Sequence, residues 1–160
     1  VDLPLSQLHQ LRRRLGVVFQ DYKLLFDRTV AENIGLTLEV SGRSPAEVEE
    51  ETARVLEEVG LSDRADLFPA QLAGGELQRT VIARALVGRP EILIADEPTG
   101  NLDPTTSWQI VKLLRQINKA GTTVLMATHN VDIVDSMRER IIELDHGRIL
   151  RDERSGKYRK

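Results

Sequence analysis

Two adjacent carboxylates stand where an apolar run ends. Ile92-Leu93-Ile94-Ala95 leads directly into Asp96-Glu97. The run from Glu91 to Ala95 lies between Pro90 and this acidic pair, which predicts a buried strand rather than a helix. At the carboxyl edge of an open parallel sheet, one carboxylate can help hold Mg²⁺ beside a phosphate while its neighbour polarises a water. The plainer reading is that any strand end needs polar residues. Upstream, Leu72-Ala73-Gly74-Gly75-Glu76-Leu77-Gln78-Arg79 puts two glycines at the opening of a helix that runs to about Val87. Glycine lets the backbone approach a ligand closely, and free amides at a helix start attract anions. This is a candidate phosphate contact, although a glycine pair by itself reads equally as an ordinary helix start.

The elements that position these residues alternate between helical and strand periodicity. Leu5, Leu8, Leu11 and Leu15 predict a short amphipathic helix ending in Arg12-Arg13-Arg14 and closed by Gly16. Those arginines could touch anionic lipid or simply form a solvated helix end. Gly16 to Phe19 reads as a strand, Gln20-Asp21 as a turn, and Thr29 to Val40 as a second helix. Ser44-Pro45-Ala46-Glu47 is a capping box with Pro in the first helical position, and Val48, Val55, Leu56 and Val59 mark one face up to Gly60. Asp103-Pro104 opens a helix through Asn118 with Trp108, Val111, Leu114 and Ile117 inward, and Gly121 stops it. Thr122 to Thr128 and Ile141 to Asp145 read as further buried strands, with His146-Gly147 turning into Arg148 to Leu150 as a hairpin arm. Strands separated by helices predict parallel pairing, so the class is α/β.

Composition narrows the functional classes. The 160 residues are 41% hydrophobic and 29% charged with a net charge of -3, which describes one folded domain and argues against a protein that wraps nucleic acid. No apolar run approaches the roughly 20 residues that span a bilayer. With no cysteine and three scattered histidines, thiolate zinc sites and a cysteine nucleophile are excluded.

Taken together, L-A-G-G-E-L-Q-R, I-A-R-A-L, I-L-I-A-D-E-P-T-G-N-L-D and A-T-H-N resemble, in order and spacing, the nucleotide-binding subunits of ABC transporters. The resemblance implies a P-loop NTPase-type parallel sheet with a helical signature subdomain. V-V-F-Q-D-Y-K-L-L-F-D-R-T-V-A-E-N and R-I-I-E-L-D-H-G-R-I make it most similar to the cell-division branch. Lipoprotein-releasing and macrolide-export members share D-E-P-T-G-N-L-D and stand as alternatives. By this resemblance Gln20 contacts Mg²⁺ and the attacking water, Asp96 supports Mg²⁺ through water, Glu97 is the general base and His129 contacts the γ-phosphate. Ala73, Gly74, Gly75 and Glu76 form the signature that caps ATP held by an opposite subunit, and Asn101-Leu102-Asp103 crosses the dimer interface. Singly, Gln20 could be a turn residue, Asp103 a helix cap and His129 a surface histidine. The implied partners are a second copy joined through an ATP sandwich and a transmembrane subunit of the FtsX type, at the cytoplasmic face of the cell membrane. Tyr22, Leu24, Leu25 and Phe26, apolar where a loop is expected, are either its docking patch or core.

Two departures qualify the resemblance. Signatures of the family usually carry Ser at the position of Ala73, a hydroxyl that would donate to the γ-phosphate. No G-x-x-x-x-G-K-[ST] loop occurs: Gly156-Lys157 has Arg151 where the first glycine belongs and Tyr158 in place of Ser or Thr. The resemblance places that loop upstream of Val1, so residues 1–160 are expected to be the C-terminal portion of the nucleotide-binding domain, lacking the Walker A part. A noncatalytic interaction module is the rival reading. A chromosome-maintenance ATPase would need a coiled-coil insertion and a basic surface that the sequence lacks. These 160 residues alone are expected to bind no ATP measurably, because the amide cradle and lysine for the β- and γ-phosphates are absent. Titration with a fluorescent ATP analogue checks this, and micromolar affinity would place the site elsewhere.

Overall fold

Local capping chemistry sets most helix boundaries in the computed structural model, which describes residues 4–156. Contacts divide the chain into two compact units, Val1–Ala127 and Thr128–Lys160. The first holds helices α1 (Leu5–Arg13), α2 (Val30–Val40), α3 (Pro45–Val59), α4 (Gly74–Leu86) and α5 (Pro104–Lys119), with strands β1 (Leu15–Val18), β2 (Ile92–Asp96) and β3 (Thr123–Ala127). Thr29 and Ser44 both form reciprocal capping boxes, with Glu32 and Glu47 respectively. Gly60 ends α3 in the left-handed region at φ 71°, and the Asp103 carboxylate accepts the Thr106 amide at 3.0 Å to open α5.

The three strands form one parallel sheet in the order β1-β2-β3, as alternating strands and helices predict. Its alternation sorts residues by face. Val18, Leu93 and Ala95 are fully buried in the core cluster, with Val124 and Met126 packed against it. On the other face Val17, Ile94 and Leu125 share one register row, and Val17 and Leu125 are exposed. Leu15, expected in the first helix, begins β1 instead. Arg14 leaves the helix and locks its end to β2 through two bonds to Glu91, at 2.7 and 2.5 Å. Trp108 is half-buried, while Ile110 and Leu113 join Val111, Leu114 and Ile117 on the inner face of α5.

The second unit holds α6 (Val131–Met137) and an antiparallel hairpin of β4 (Ile141–Asp145) and β5 (Arg148–Glu153). His146 and Gly147 both have positive φ, 44° and 76°, as a two-residue hairpin turn requires. The expectation of a buried strand at Ile141 to Asp145 is not met. Glu143 and Asp145 alternate with the apolar residues, and Leu144 is 68% exposed. Lys157, which fits the phosphate-loop pattern, and Tyr158, which breaks it, lie outside the described residues, as does the side chain of Leu5.

Helix α4 packs against α2, α3, α5 and β1. Its first turn approaches α5 so closely that a Cβ on Gly75 would stand 2.5 Å from Thr106 Cγ2. Gly75→Ala is therefore expected to destabilise the fold by about 1–3 kcal/mol through overpacking. Thr106→Ser removes the clashing methyl, so the double variant should recover most of that loss, since alanine is otherwise the better helix former. Urea denaturation of the three proteins checks this, and equal losses in the single and double variants would show that the contact is not the constraint.

Candidate functional site at the carboxyl edge of the sheet

The carboxyl ends of β1 and β2 bring the first group of residues together. Asp96 is the last residue of β2, exposed and paired in register with Ala127. Glu97 continues the ladder by one bond, its amide donating to the Ala127 carbonyl at 2.9 Å. The chain then turns sharply: Glu97 has φ 43°, in the left-handed region that costs a non-glycine residue energy, and its carbonyl accepts the Gly100 amide at 3.1 Å. Pro98 and Thr99 are buried behind it. Gln20 follows β1 with its side chain exposed. A Cβ on Gly100 would stand 3.6 Å from Glu97 Cβ and 4.0 Å from Gln20 Nε2. Gln20 and Glu97, far apart in the chain, therefore border the same small space.

The second group surrounds the start of α4. Ala73 is the N-cap, in extended conformation, and the Leu77 amide makes the first i→i−4 bond to its carbonyl at 2.9 Å. The amides of Gly74 and Gly75 precede that bond, where helix donors lack intrahelical partners. Glu76 Oε2 accepts the Ala73 amide at 2.9 Å, half of a capping box, and alanine has no hydroxyl to return the other half. Glu76 Oε1 accepts Arg64 Nε at 2.9 Å. The Ala73 amide bond, followed by Arg64, holds the Glu76 carboxyl below its ordinary range. A Cβ on Gly74 would lie 3.3 Å from Leu102 Cδ2 and 3.7 Å from Tyr22 Oη. Both glycines are thus packed against the Asn101-Leu102-Asp103 turn and α5, a constraint separate from any ligand. Asp103 caps α5, and its bonds to Thr106 depress its carboxyl pKa. His129 belongs to the second unit, just ahead of α6, and is exposed.

The loop joining these groups is held by residues that the sequence reading did not single out. Asn33, fully buried, accepts the Leu25 amide at 2.8 Å and donates to the carbonyls of Leu25, Arg28 and Thr29. A polar residue among Val30, Ile34 and Leu38 on the inward face of α2 was the available signal. The apolar cluster after Gln20 divides: Leu24 is core, Tyr22 is half-buried, and Leu25 and Phe26 are exposed. Among the described residues no group of three or more acidic or histidine side chains could hold a metal unaided.

The arrangement has counterparts. The profile of the ABC transporter family matches residues 2–100. The cell division ATP-binding protein FtsE of Streptococcus pneumoniae is 53% identical over 157 residues, 98% of this chain and 66% of that protein. FtsE of Bacillus subtilis is 53% identical, covering 92% of this chain and 65% of its own length; FtsE of Escherichia coli is 45% identical, covering 87% and 63%. The chain therefore spans just under two thirds of the length of these curated relatives. A dimeric post-hydrolysis structure of the ATP-binding cassette MJ0796, bound to ADP and Pi, superposes with a TM-score of 0.81 at 36% identity, covering 98% of this chain and 70% of the other. With the profile matching more than half of the chain and a cassette of known structure sharing its fold, this chain belongs to the ABC transporter family.

Proposed function

We propose that this chain is the signature-bearing part of an ATP-hydrolysing subunit, of the cell-division type, and that residues 1–160 all belong to one nucleotide-binding domain. The observation that carries the reading is Glu97, one residue past β2 and bordering the same space as Gln20 Nε2. There Glu97 takes a proton from the attacking water and Gln20 orients that water. Mg²⁺ bound with the nucleotide would neutralise charge on the phosphates, Gln20 would contact it and Asp96 would support it through water. The Gly74 and Gly75 amides, with Ala73, meet the γ-phosphate of ATP held by a second subunit. Glu76 braces the turn that presents them, Asp103 faces the partner copy, and His129 contacts the γ-phosphate on its own side. The dimeric MJ0796 cassette supports the two-subunit arrangement.

The membrane partner, an FtsX-like subunit at the cytoplasmic face, draws support from the FtsE relatives and from Leu25 and Phe26, exposed on the loop after Gln20. An apolar face on a cytoplasmic segment of such a partner fits that chemistry. Among the described residues no helix is long and apolar enough to cross a membrane.

Glu97→Gln in the whole protein keeps the shape of the side chain and removes its basicity. It should retain ATP binding, cut hydrolysis by at least about 100-fold, and leave an ATP-stabilised dimer visible by size-exclusion chromatography. Wild-type turnover in that variant would end the role of Glu97. Ala73→Ser should complete the capping box with Glu76, raising stability by about 0.5–2 kcal/mol, and raise turnover by up to roughly tenfold through the added phosphate donor. Thermal midpoint and turnover measured side by side check both; higher stability with lower turnover would withdraw the phosphate contact and keep the cap.

A further inference from the structure

Arg64 closes the short 3₁₀ turn Ser62–Arg64 that follows α3. Its backbone is fastened on both sides: the Arg64 amide donates to the carbonyl of buried Leu61 at 2.9 Å, and the Leu67 amide donates to the Arg64 carbonyl at 3.1 Å. The same stretch is sewn to the start of α2, where the amides of Val30 and Ala31 donate to the carbonyls of Leu67 and Ala65 at 2.8 and 2.9 Å. The Arg64 side chain therefore starts from a fixed point. From there its Nε donates to Glu76 Oε1 at 2.9 Å, across the 12 positions that lead into the glycine turn.

Glu76 spends its two oxygens in two directions. Oε2 accepts the Ala73 amide and Oε1 takes the guanidinium, and these bonds hold the carboxyl below its ordinary range, the Ala73 amide contributing most. In a complete capping box the cap side chain returns a bond to the third helical residue, so the turn is closed twice from within. Thr29 and Ser44 do this on α2 and α3, and Arg28 and Arg43, each next to its cap, reach the same glutamates. Ala73 has no hydroxyl to return, Leu72 stands ahead of it, and the arginine comes instead from a separate turn. A carboxylate held by one bond can pivot about it, and the second bond to Arg64 removes that freedom. Both side chains are partly exposed, 45% and 29%, where an ion pair adds little stability. Its consequence is direction rather than strength.

We propose that Arg64 is a positioning residue for the glycine turn: through Glu76 it sets the direction of the Gly74 and Gly75 amides, supplying from outside the helix the restraint that a hydroxyl at position 73 would supply from within. The kinetic consequence rests on the ATPase reading above, and the linkage rests on the geometry alone. Loss of Arg64 therefore harms this chain more than it harms the Ala73→Ser variant, whose turn keeps a second closure.

In the whole protein, Arg64→Ala should lower kcat by about tenfold, while KM for ATP stays within about twofold and the thermal midpoint within a few degrees. Combined with Ala73→Ser, the same change should lower kcat by no more than about twofold relative to Ala73→Ser alone. Arg64→Lys, which keeps one charged donor, should recover part of the loss. The second readout needs no turnover. In nucleotide-free ¹⁵N-labelled protein, Arg64→Ala should lower the order parameters of the Gly74 and Gly75 amides from the rigid range near about 0.85 toward about 0.6, and should leave them near their starting values beside Ala73→Ser. Equal kcat losses in the two backgrounds, or glycine amides that Arg64→Ala leaves unchanged, overturn the proposal, since a merely structural ion pair would shift the midpoint alike in both and leave the amides ordered. A parent protein without ATP hydrolysis counts against the proposed function only, and the amides still decide the linkage. Should Arg64→Ala fail to fold, Arg64→Gln, which keeps much of the side chain and drops the charge, is read by the same amide comparison.

Discussion

The burial of α4 is the constraint on which the first unit depends. Val81, Ile82 and Ala83 have no exposed surface, and Leu86 and Val87 nearly none. Burying each large apolar side chain contributes about 1.5–3 kcal/mol relative to leaving it exposed. That apolar stretch fixes the helix against α2, α3 and β1, and the polar residues around it then have little freedom. Arg79 donates to the Val59 carbonyl at the end of α3 and to Gln109 on α5. Arg84 reaches the loop after Gln20, and Thr37 on α2 donates to the Arg84 carbonyl at 3.4 Å. The glycine turn is presented by a rod that cannot slide without breaking contacts on four sides.

What was legible in the sequence was mostly local chemistry. Ser44-Pro45 and Gly60 bound α3, Asp103-Pro104 opens α5, and His146-Gly147 makes the hairpin turn, because each signal acts on its own backbone. The apolar run before Asp96 became the middle strand for a similar reason: five residues between a proline and an acidic pair leave few alternatives. Leu15 and Leu144 misled because an apolar residue at the right spacing does not say which element will use it. Leu15 pairs with Ile92 as the first of four register pairs, beside amide bonds from Glu91 and Ile92 to the Arg14 carbonyl and the Arg14–Glu91 ion pair across 77 positions, none of which a local window contains. The candidate site was legible as residue types. Its assembly was not, since the approach of Gln20 to Glu97 and of Tyr22 to Gly74 follows from strand order and helix packing.

The buried polar groups separate into satisfied and unsatisfied ones, and the separation follows the chain's architecture. Asn33 uses both ends of its amide on one loop: its oxygen accepts one bond and its two N–H groups are shared among three carbonyls, which offsets its burial. Thr52 Oγ1 and Gln78 Nε2 are buried without a partner, and such a group costs about 1–3 kcal/mol. Thr52 lies where α3 packs on α2, and a Cβ on Gly35 would stand 3.3 Å from its Oγ1. Gln78 sits one turn into α4, and nothing in the structure explains its unpaired amide.

Glu97 shows how a strained residue is held in place. Left alone, a glutamate with φ 43° would relax toward the ordinary regions, gaining on the order of 1–3 kcal/mol. Relaxation would break the bond from its amide to Ala127 and the bond from Gly100 to its carbonyl, and would disturb buried Pro98 and Thr99. Ala127 is fixed in turn because β3 runs in register with β2 over five pairs. The sheet therefore bears the cost of the turn. A freely hinged carboxylate would sample many directions, whereas one fastened through the backbone on both sides keeps its Cβ beside Gly100, close to where Gln20 Nε2 stands. On the role proposed for Glu97, fixing the group before any ligand arrives removes an ordering cost from the step that would use it, an advantage of a strained strand end over a loose loop.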